Sequence, residues 1–269
     1  MFGFFIAIAI GVVVGLGLSF GGVFGIGWSI TCGVLAFIVA QVVIGRIIQK
    51  RVKEAMDSVQ NILMEGQKRL QTKMARWQMR PPGSIQAAQA EIARDQKVFV
   101  REALEQTEVL HKFDNWVPMM KRQIATAQFQ LYWMIKEFKK VDELMPKALF
   151  LDPTTNAMKL ARMYMTDKPV EEMAAVYEKA TRRLRYNQNV LLAAAWSWIL
   201  IQKKDEDGAF KALNAALEKS DTETLKANRD HLANNRVAHV SNTALGDQWY
   251  ALLLEEPRIH QQRMRPQWR

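Results

Sequence analysis

Charge is absent from the beginning of this 269-residue sequence, because none of the first 45 residues is Asp, Glu, Lys or Arg. The stretch consists mainly of glycine, aliphatic and aromatic residues: FGFFIAIAIGVVVGLGLSFGGVFGIGWSITCGVLAFIVAQVVIG. It is longer than a core helix of a soluble protein requires. The absence of charge over this length therefore predicts helices that span a membrane.

Cysteine is almost absent as well. Cys32 is the single cysteine of the chain, so no intramolecular disulfide and no cysteine-based metal site can form. Chains without disulfides are typical of the cytoplasm. We therefore expect the part of the protein outside the membrane to face the cytoplasm.

The sequence also lacks the motifs that identify common enzymes. It has no Gly-x-x-x-x-Gly-Lys-Ser/Thr loop, no Gly-x-Ser-x-Gly elbow and no kinase signature. Glu108 and His111 have the Glu-x-x-His spacing of di-iron bundles, but that chemistry needs a second such motif, so the pair fits a surface ion pair better. His231 and His239 lie two helical turns apart without a third ligand. We expect no enzymatic activity, no metal and no cofactor.

The uncharged segment fits two spans better than one. Residues 4–20 and 23–44 extend over roughly 25 Å and 33 Å as helices, close to the ~30 Å hydrocarbon layer. The first cations follow immediately, at Arg46, Lys50, Arg51 and Lys53. The positive-inside rule then predicts a multi-pass protein of the inner membrane with its C-terminal domain in the cytoplasm. One long span with an external body is the alternative.

Glycines recur in these spans at intervals of four residues. Gly11 with Gly15, and Gly21 with Gly25, are pairs of the kind that lets membrane helices approach closely. The pattern has two interpretations. The two spans pack only on each other, or the glycine faces drive assembly of several chains.

Residues 46–80 predict a basic juxtamembrane helix, with nine Lys or Arg and three Asp or Glu. Its apolar or small residues follow a heptad-like pattern: Val52, Met56, Val59, Leu63, Gly66, Leu70, Met74 and Trp77. This face can lie on the bilayer, form a coiled coil with another subunit or pack on its own domain. The cations favour contact with anionic lipid headgroups. The prolines of RPPGS, residues 80–84, end the helix.

The rest of the chain predicts an all-α body over residues 84–257, since no strand-like alternation of useful length occurs. The uncharged run at residues 190–201 is only twelve residues long, too short to cross a bilayer. It is followed by the polar turn QKKDEDG and a second helical segment. We therefore interpret it as the buried member of a helix–turn–helix pair.

A repeat period supports this interpretation. Pro153, Asn187 and Asp221, which end successive helical pairs, are 34 residues apart, and 34 is the length of a tetratricopeptide repeat. The segments LYWMIKEFKKVDELMPKALFLDP and AAAWSWILIQKKDEDGAFKALNAALEKSD resemble that family. Residues that carry the resemblance are Tyr132, Ala148, Trp196, Ser197, Leu200, Ala209, Leu213 and Ala216. Residues 154–187 fit less well, and the resemblance covers about residues 116–221.

Similarity to tetratricopeptide repeats implies a curved array of helix pairs whose first helices line a groove for a protein partner. Carried over to this chain, the groove-facing positions are Gln123, Gln130, Trp133, Trp198 and Gln202. The alternative for the two tryptophans is a place in the core.

The remaining basic charge lies in the tail, residues 258–269, which has four Arg and no acid. The tail predicts an extended segment that docks on a partner or on acidic lipid, and the alternative is a disordered terminus. Because residues 81–257 contain equal numbers of basic and acidic residues, the folded body does not predict a nucleic-acid surface.

Together these features predict a membrane-anchored scaffold whose cytoplasmic helical-repeat domain binds a protein. The alternative is a structural subunit, either of a homo-oligomeric ring or of a larger membrane complex, that assembles through residues 1–45.

Overall fold

A computed structural model describes residues 2–20, 26–79 and 84–257, and within these ranges it contains helices and turns but no strand. The predicted all-α class is confirmed. The chain divides into two compact units, Met1–Leu149 and Phe150–Arg269. The first contains α1 (Phe2–Phe20), α2 (Ile26–Met79), α3 (Ile85–Val109), a 3₁₀ turn (Leu110–Phe113), α4 (Met120–Met134) and α5 (Phe138–Leu144). The second contains α6 (Pro153–Met165), α7 (Val170–Thr181), α8 (Val190–Gln202), α9 (Glu206–Leu217), α10 (Glu223–Ala233) and α11 (Asp247–Tyr250).

Two helices at the N-terminal end, α1 and the first part of α2, are long and apolar enough to cross a membrane. The two helices pack on each other. Large apolar side chains cover their outer surface, and Val13, Trp28 and Leu35 are more than 60% exposed. The predicted pair of long apolar helices is confirmed in length and composition.

The second apolar helix does not end where the charges begin. α2 is one helix of 54 residues, about 80 Å long, so the predicted second span and the predicted juxtamembrane helix are a single element. No proline interrupts it before Pro81, and the basic residues after Gly45 are good helix formers. The apolar and charged parts of the chain are therefore joined without a linker.

The charged half of α2 packs on α3 and α4 of its own chain. Val59, Phe99 and Val100 are buried in this core with residues of α4, and Lys73 binds Glu91 and Asp95 of α3 at 2.5 Å each. The hydrogen bonds to Asp95 and Glu91 raise the pKa of Lys73. Of the three alternatives for the heptad-like face, the structure shows packing on its own domain for Val59, Leu63 and Leu70. Met56 and Met74 of the same predicted face are exposed.

In the second unit α6 packs on α7 and α8 packs on α9, and α8 also packs on α6. The run at residues 190–201 forms the buried helix α8, as predicted from its length, and its Leu192 and Ile199 have no exposed surface. Trp196 of α8 stacks on Tyr177 of α7 with ring centroids 5.5 Å apart. Burial raises the pKa of Tyr177 to about 12.

The same C-terminal cap ends α4, α6, α8 and α10. The capping residues are left-handed at Lys136, Asp167, Lys204 and Asn235, with φ between 51° and 64°. After each of them, the next residue donates its N–H to the carbonyl five positions back at 2.8–3.0 Å. This is the Schellman arrangement, which glycine usually provides. Since none of the four is glycine, the sequence does not display this repetition.

Replacing Lys204 by glycine should stabilise the protein. A left-handed residue with a Cβ atom costs roughly 1 kcal/mol, and the Lys204 side chain is exposed. We expect Lys204→Gly to raise the free energy of unfolding by about 1 kcal/mol, measured by denaturant titration in mild detergent. The control is Lys211→Gly in the middle of α9, also exposed, which should lower it by about 1 kcal/mol. Equal destabilisation by both variants would contradict the left-handed capping conformation of Lys204.

Candidate functional site

Glycines hold α1 and α2 in close contact. A Cβ atom added to Gly33 would lie 2.8 Å from the carbonyl oxygen of Gly11, and one added to Gly11 would lie 2.9 Å from the carbonyl oxygen of Gly33. Gly15 lies 3.4 Å from the Ser29 oxygen by the same measure. The predicted pair Gly11 and Gly15 thus packs within one chain, on a glycine of α2. The predicted pair Gly21 and Gly25 lies outside the described residues.

An apolar groove of about 550 Å³ runs along this glycine contact on the outside of the hairpin. Its walls include Val12 of α1 and Val34 of α2, and its floor includes Gly11, Gly15 and Gly33. The groove leaves the glycine contact accessible from outside the hairpin.

The apolar and charged parts of the first unit meet at the N-terminal end of α1. The Phe2 N–H donates to the carbonyl of Asn115 at 3.0 Å, and the Phe2 ring lies 6.0 Å from that of Trp116. The loop after the 3₁₀ turn therefore lies at the same end of the hairpin as Phe2. The predicted membrane-surface cations lie at this end too. They are exposed on α2: Arg46, Lys50, Arg51 and Lys53.

The predicted groove residues of the first unit do not share one environment. Gln123 is exposed on α4 and Gln130 is half-buried. Trp133 is 1% exposed and lies between Phe129, at 6.1 Å, and Phe138, at 5.6 Å. Trp133 is therefore a core aromatic, and the structure does not offer it to a partner.

The second unit contains two predicted groove residues, and one of them, Trp198, contacts the last described segment of the chain. Gln202 is exposed, while Trp198 is half-buried. The Trp198 indole N–H donates to Glu255 Oε1 at 2.7 Å, and that of Trp249 donates to Glu255 Oε2 at 2.8 Å. One carboxylate thus holds two tryptophans, and the segment after α11 lies against the predicted groove position. Sequence reasoning missed Glu255 because it is 57 residues from Trp198.

Removing the Glu255 carboxylate should destabilise the second unit. Hydrogen bonds to a charged acceptor contribute about 1.5–3 kcal/mol each when buried, and Glu255 is half-buried. We expect Glu255→Ala to lower the free energy of unfolding by about 2 kcal/mol, measured by denaturant titration. Glu256→Ala is the control, since Glu256 is exposed. An equal loss in both variants would refute the role of Glu255.

The three histidines that the structure describes contact different neighbours. His111 Nε2 lies 3.8 Å from Glu108 Oε2, and its Nδ1 lies 3.0 Å from Asp114 Oδ2. The rings of His231 and His239 are 5.6 Å apart. Across residues 2–20, 26–79 and 84–257, no three His, Cys, Asp or Glu side chains are grouped as metal ligands. The Glu108–His111 pair is the surface ion pair that its spacing favoured.

Comparison with known proteins gave no relative: no family model matches the sequence, no curated protein matches it and no solved structure matches the fold. The resemblance to tetratricopeptide repeats therefore stays a prediction from the sequence.

Proposed function

We propose that this protein is a membrane-anchored scaffold. In this proposal α1 and the first part of α2 hold the chain in the inner membrane, and the helical pairs outside it bind a protein on the cytoplasmic side. The observation that carries the proposal is the continuity of α2. One uninterrupted helix passes from a surface of exposed apolar side chains into the packed core with α3.

The dimensions of the hairpin support the anchor. On α2, Trp28 and Ile48 are twenty residues apart, which is about 30 Å of helix and equals the thickness of the hydrocarbon layer. Trp28 is 68% exposed, and aromatic side chains are enriched at the two membrane surfaces. The contact of Phe2 with Asn115 brings the beginning of α1 to the end of the hairpin from which the charged half of α2 extends, as two spans require.

The repeated local geometry supports a helical-repeat body. The left-handed caps at the ends of α6, α8 and α10 recur with the same hydrogen bonds. In addition, Asn187 and Asp221, 34 residues apart, are hydrogen-bonded: the Asp221 N–H donates to Asn187 Oδ1 at 3.0 Å. Equivalent ends of neighbouring helical pairs therefore meet, as stacked repeats require. The exposed predicted groove residues, Gln123 and Gln202, are the positions from which a partner would be contacted.

The scaffold can be tested by site-specific photo-crosslinking of the full chain in its native membrane. A photoreactive residue at Gln202 on α8 should give a discrete adduct with a second protein. The same residue at Lys211, exposed on α9, should not. Identical products at both positions, or none at Gln202, would contradict partner binding through the first helices of the pairs.

A structural subunit is the second candidate, and the groove between Val12 and Val34 favours it. If several chains assemble there, Val34→Trp should fill the groove without touching the contact of Gly11 with Gly33. The mass of the protein in mild detergent, measured by native mass spectrometry, should then fall from an oligomer to a monomer. A wild-type monomer would exclude the homo-oligomeric form of this alternative.

A further inference from the structure

A cavity of about 710 Å³, open to solvent, lies in the first unit beside the 3₁₀ turn and the beginning of α4. We call it the polar cavity after the six polar side chains among its lining residues. Its polar lining is His111, Asp114, Lys121, Arg122, Gln128 and Lys147. Two of these side chains are lysines, one is an arginine and one is an aspartate. The cavity therefore has a positive balance and donors on several sides, which is the chemistry that binds an anion.

The cations of this cavity are not neutralised from within. In the part of the chain that the structure describes, Lys121 and Lys147 form no ion pair with a carboxylate. The Arg122 guanidinium donates to the Ala148 carbonyl at 3.4 Å. Asp114 instead binds His111, Nδ1 to Oδ2 at 3.0 Å. The one acid of the lining is thus held by the imidazole, and the three cations remain available to an external anion.

A second cavity, of about 440 Å³, is also lined in part by this turn. It is lined mostly by apolar side chains of α1 and α2, such as Ile6 and Ile48, with Lys112 and Phe113 of the turn. Within the turn, residues 111 and 114 line the polar cavity, and residues 112 and 113 line the apolar one. The two cavities together suit a ligand that has both a charged group and a hydrocarbon part.

The position of the turn identifies the source of such a ligand. Phe2, at the end of the apolar hairpin, donates its N–H to Asn115, one residue after Asp114. Arg51, five residues beyond the first cation of α2, lines the apolar cavity. If the hairpin spans the bilayer, the turn lies at the level of the lipid headgroups, where phosphate groups are concentrated.

We propose that Lys121, Arg122 and Lys147 bind the phosphate of an anionic phospholipid, with its acyl chain directed towards the apolar cavity beside Lys112 and Phe113. This inference rests on the proposed membrane anchor. It assigns phosphate recognition to exposed cations around a cavity of the first unit. Of the membrane-surface cations predicted from the sequence, Arg51 lines the apolar cavity.

The test uses the full chain in phosphatidylcholine nanodiscs that contain phosphatidylglycerol. After release into mild detergent, native mass spectrometry counts the phosphatidylglycerol molecules that stay bound. Since each cation contributes about fivefold to binding an anionic headgroup, the combined change Lys121→Gln, Arg122→Gln and Lys147→Gln should weaken retention roughly 100-fold. The double change Lys121→Gln and Lys147→Gln, which keeps the Arg122 bond to Ala148, should weaken it about 30-fold.

The matched control removes three exposed cations of the same unit that do not line the cavity: Lys68→Gln, Lys97→Gln and Lys136→Gln. It should retain phosphatidylglycerol as the wild type does. Equal retention in the double variant and the wild type would overturn the proposal, as would equal loss in the control. If the protein bound added inorganic phosphate but did not retain phosphatidylglycerol, the phosphate ligand would not be that of a phospholipid.

A separate experiment tests whether the hairpin anchors the protein in the membrane. An alkaline carbonate wash of cell membranes should leave the wild type and all of these variants in the membrane pellet, because they do not change the hairpin. Release of the wild type by carbonate would contradict the proposed anchor. A variant that loses phosphatidylglycerol but stays in the pellet has a changed lipid site and an intact membrane anchor.

Discussion

Arginine at two exposed positions of the hairpin should release the protein from the membrane. Val13 is 69% exposed near the middle of α1, and Leu35 is 61% exposed in the apolar part of α2. If these side chains face lipid, each arginine costs about 2.5–3.5 kcal/mol of insertion free energy. We expect the combined variant Val13→Arg and Leu35→Arg to leave the carbonate-washed membrane pellet, measured by immunoblotting of the pellet and supernatant.

The matched control is Val98→Arg on α3. Val98 is 64% exposed, so the three positions are similar in accessibility. They differ in location, since Val13 and Leu35 lie on the apolar hairpin and Val98 lies on α3. Val98→Arg should stay in the pellet with the wild type. If the exposed face of the hairpin met water, arginine would be tolerated at Val13 and Leu35 as it is at Val98. Unchanged pelleting of the combined variant would therefore exclude lipid contact at these positions.

The apolar helices and the buried helix α8 could be predicted from the sequence, because both depend on local composition. An uncharged run of 45 residues leaves little alternative to long apolar helices, and a run of twelve is limited by its length to a core helix. The extent of α2 could not be predicted in the same way. The change from apolar to basic residues at Arg46 resembles a boundary between elements, although a helix continues wherever each residue tolerates helical geometry.

The environments of the candidate site residues depend on contacts between distant parts of the chain. Trp133 and Trp198 are both aromatic residues on first helices of pairs, yet one is enclosed by Phe129 and Phe138 and the other is bound by Glu255. Periodicity places a residue on a helix face, but it does not reveal which distant segment covers that face. For the same reason the grouping of His111, Lys121 and Lys147 around one cavity was not visible in the sequence.

Glycine spacing in the hairpin predicts that a close helix contact exists but not which residue forms its other side. The pair Gly11 and Gly15 predicts a close helix contact, and the structure contains one. The motif does not name the partner, which is Gly33 of the same chain. Gly33 follows Ser29, not another glycine, at a spacing of four residues. A search for glycine pairs alone therefore misses it, although Ser29 and Gly33 form a small-xxx-small pair.

Leucine in place of Gly33 should force α1 and α2 apart. A Cβ atom at this position would lie 2.8 Å from the Gly11 oxygen and 3.3 Å from the Gly15 Cα. Both atoms belong to the backbone, so a change of side-chain rotamer cannot relieve the clash. Overpacking of a close contact costs about 1–3 kcal/mol, and van der Waals contact is the main force that joins membrane helices. We therefore expect the hairpin to open by a few ångströms along the glycine contact.

Spin labels at positions 12 and 34 would measure this opening, because Val12 and Val34 are exposed on opposite walls of the groove. Cys32, the single native cysteine, is first replaced by serine. In nanodiscs, Gly33→Leu should lengthen and broaden the distance distribution between the labels. Gly27→Leu, in the same helix, should leave it unchanged, since a Cβ atom at Gly27 has no neighbour within 4 Å. Matching distributions for the two variants would mean that α1 and α2 do not meet at Gly33, and the glycine faces would again be free to join separate chains.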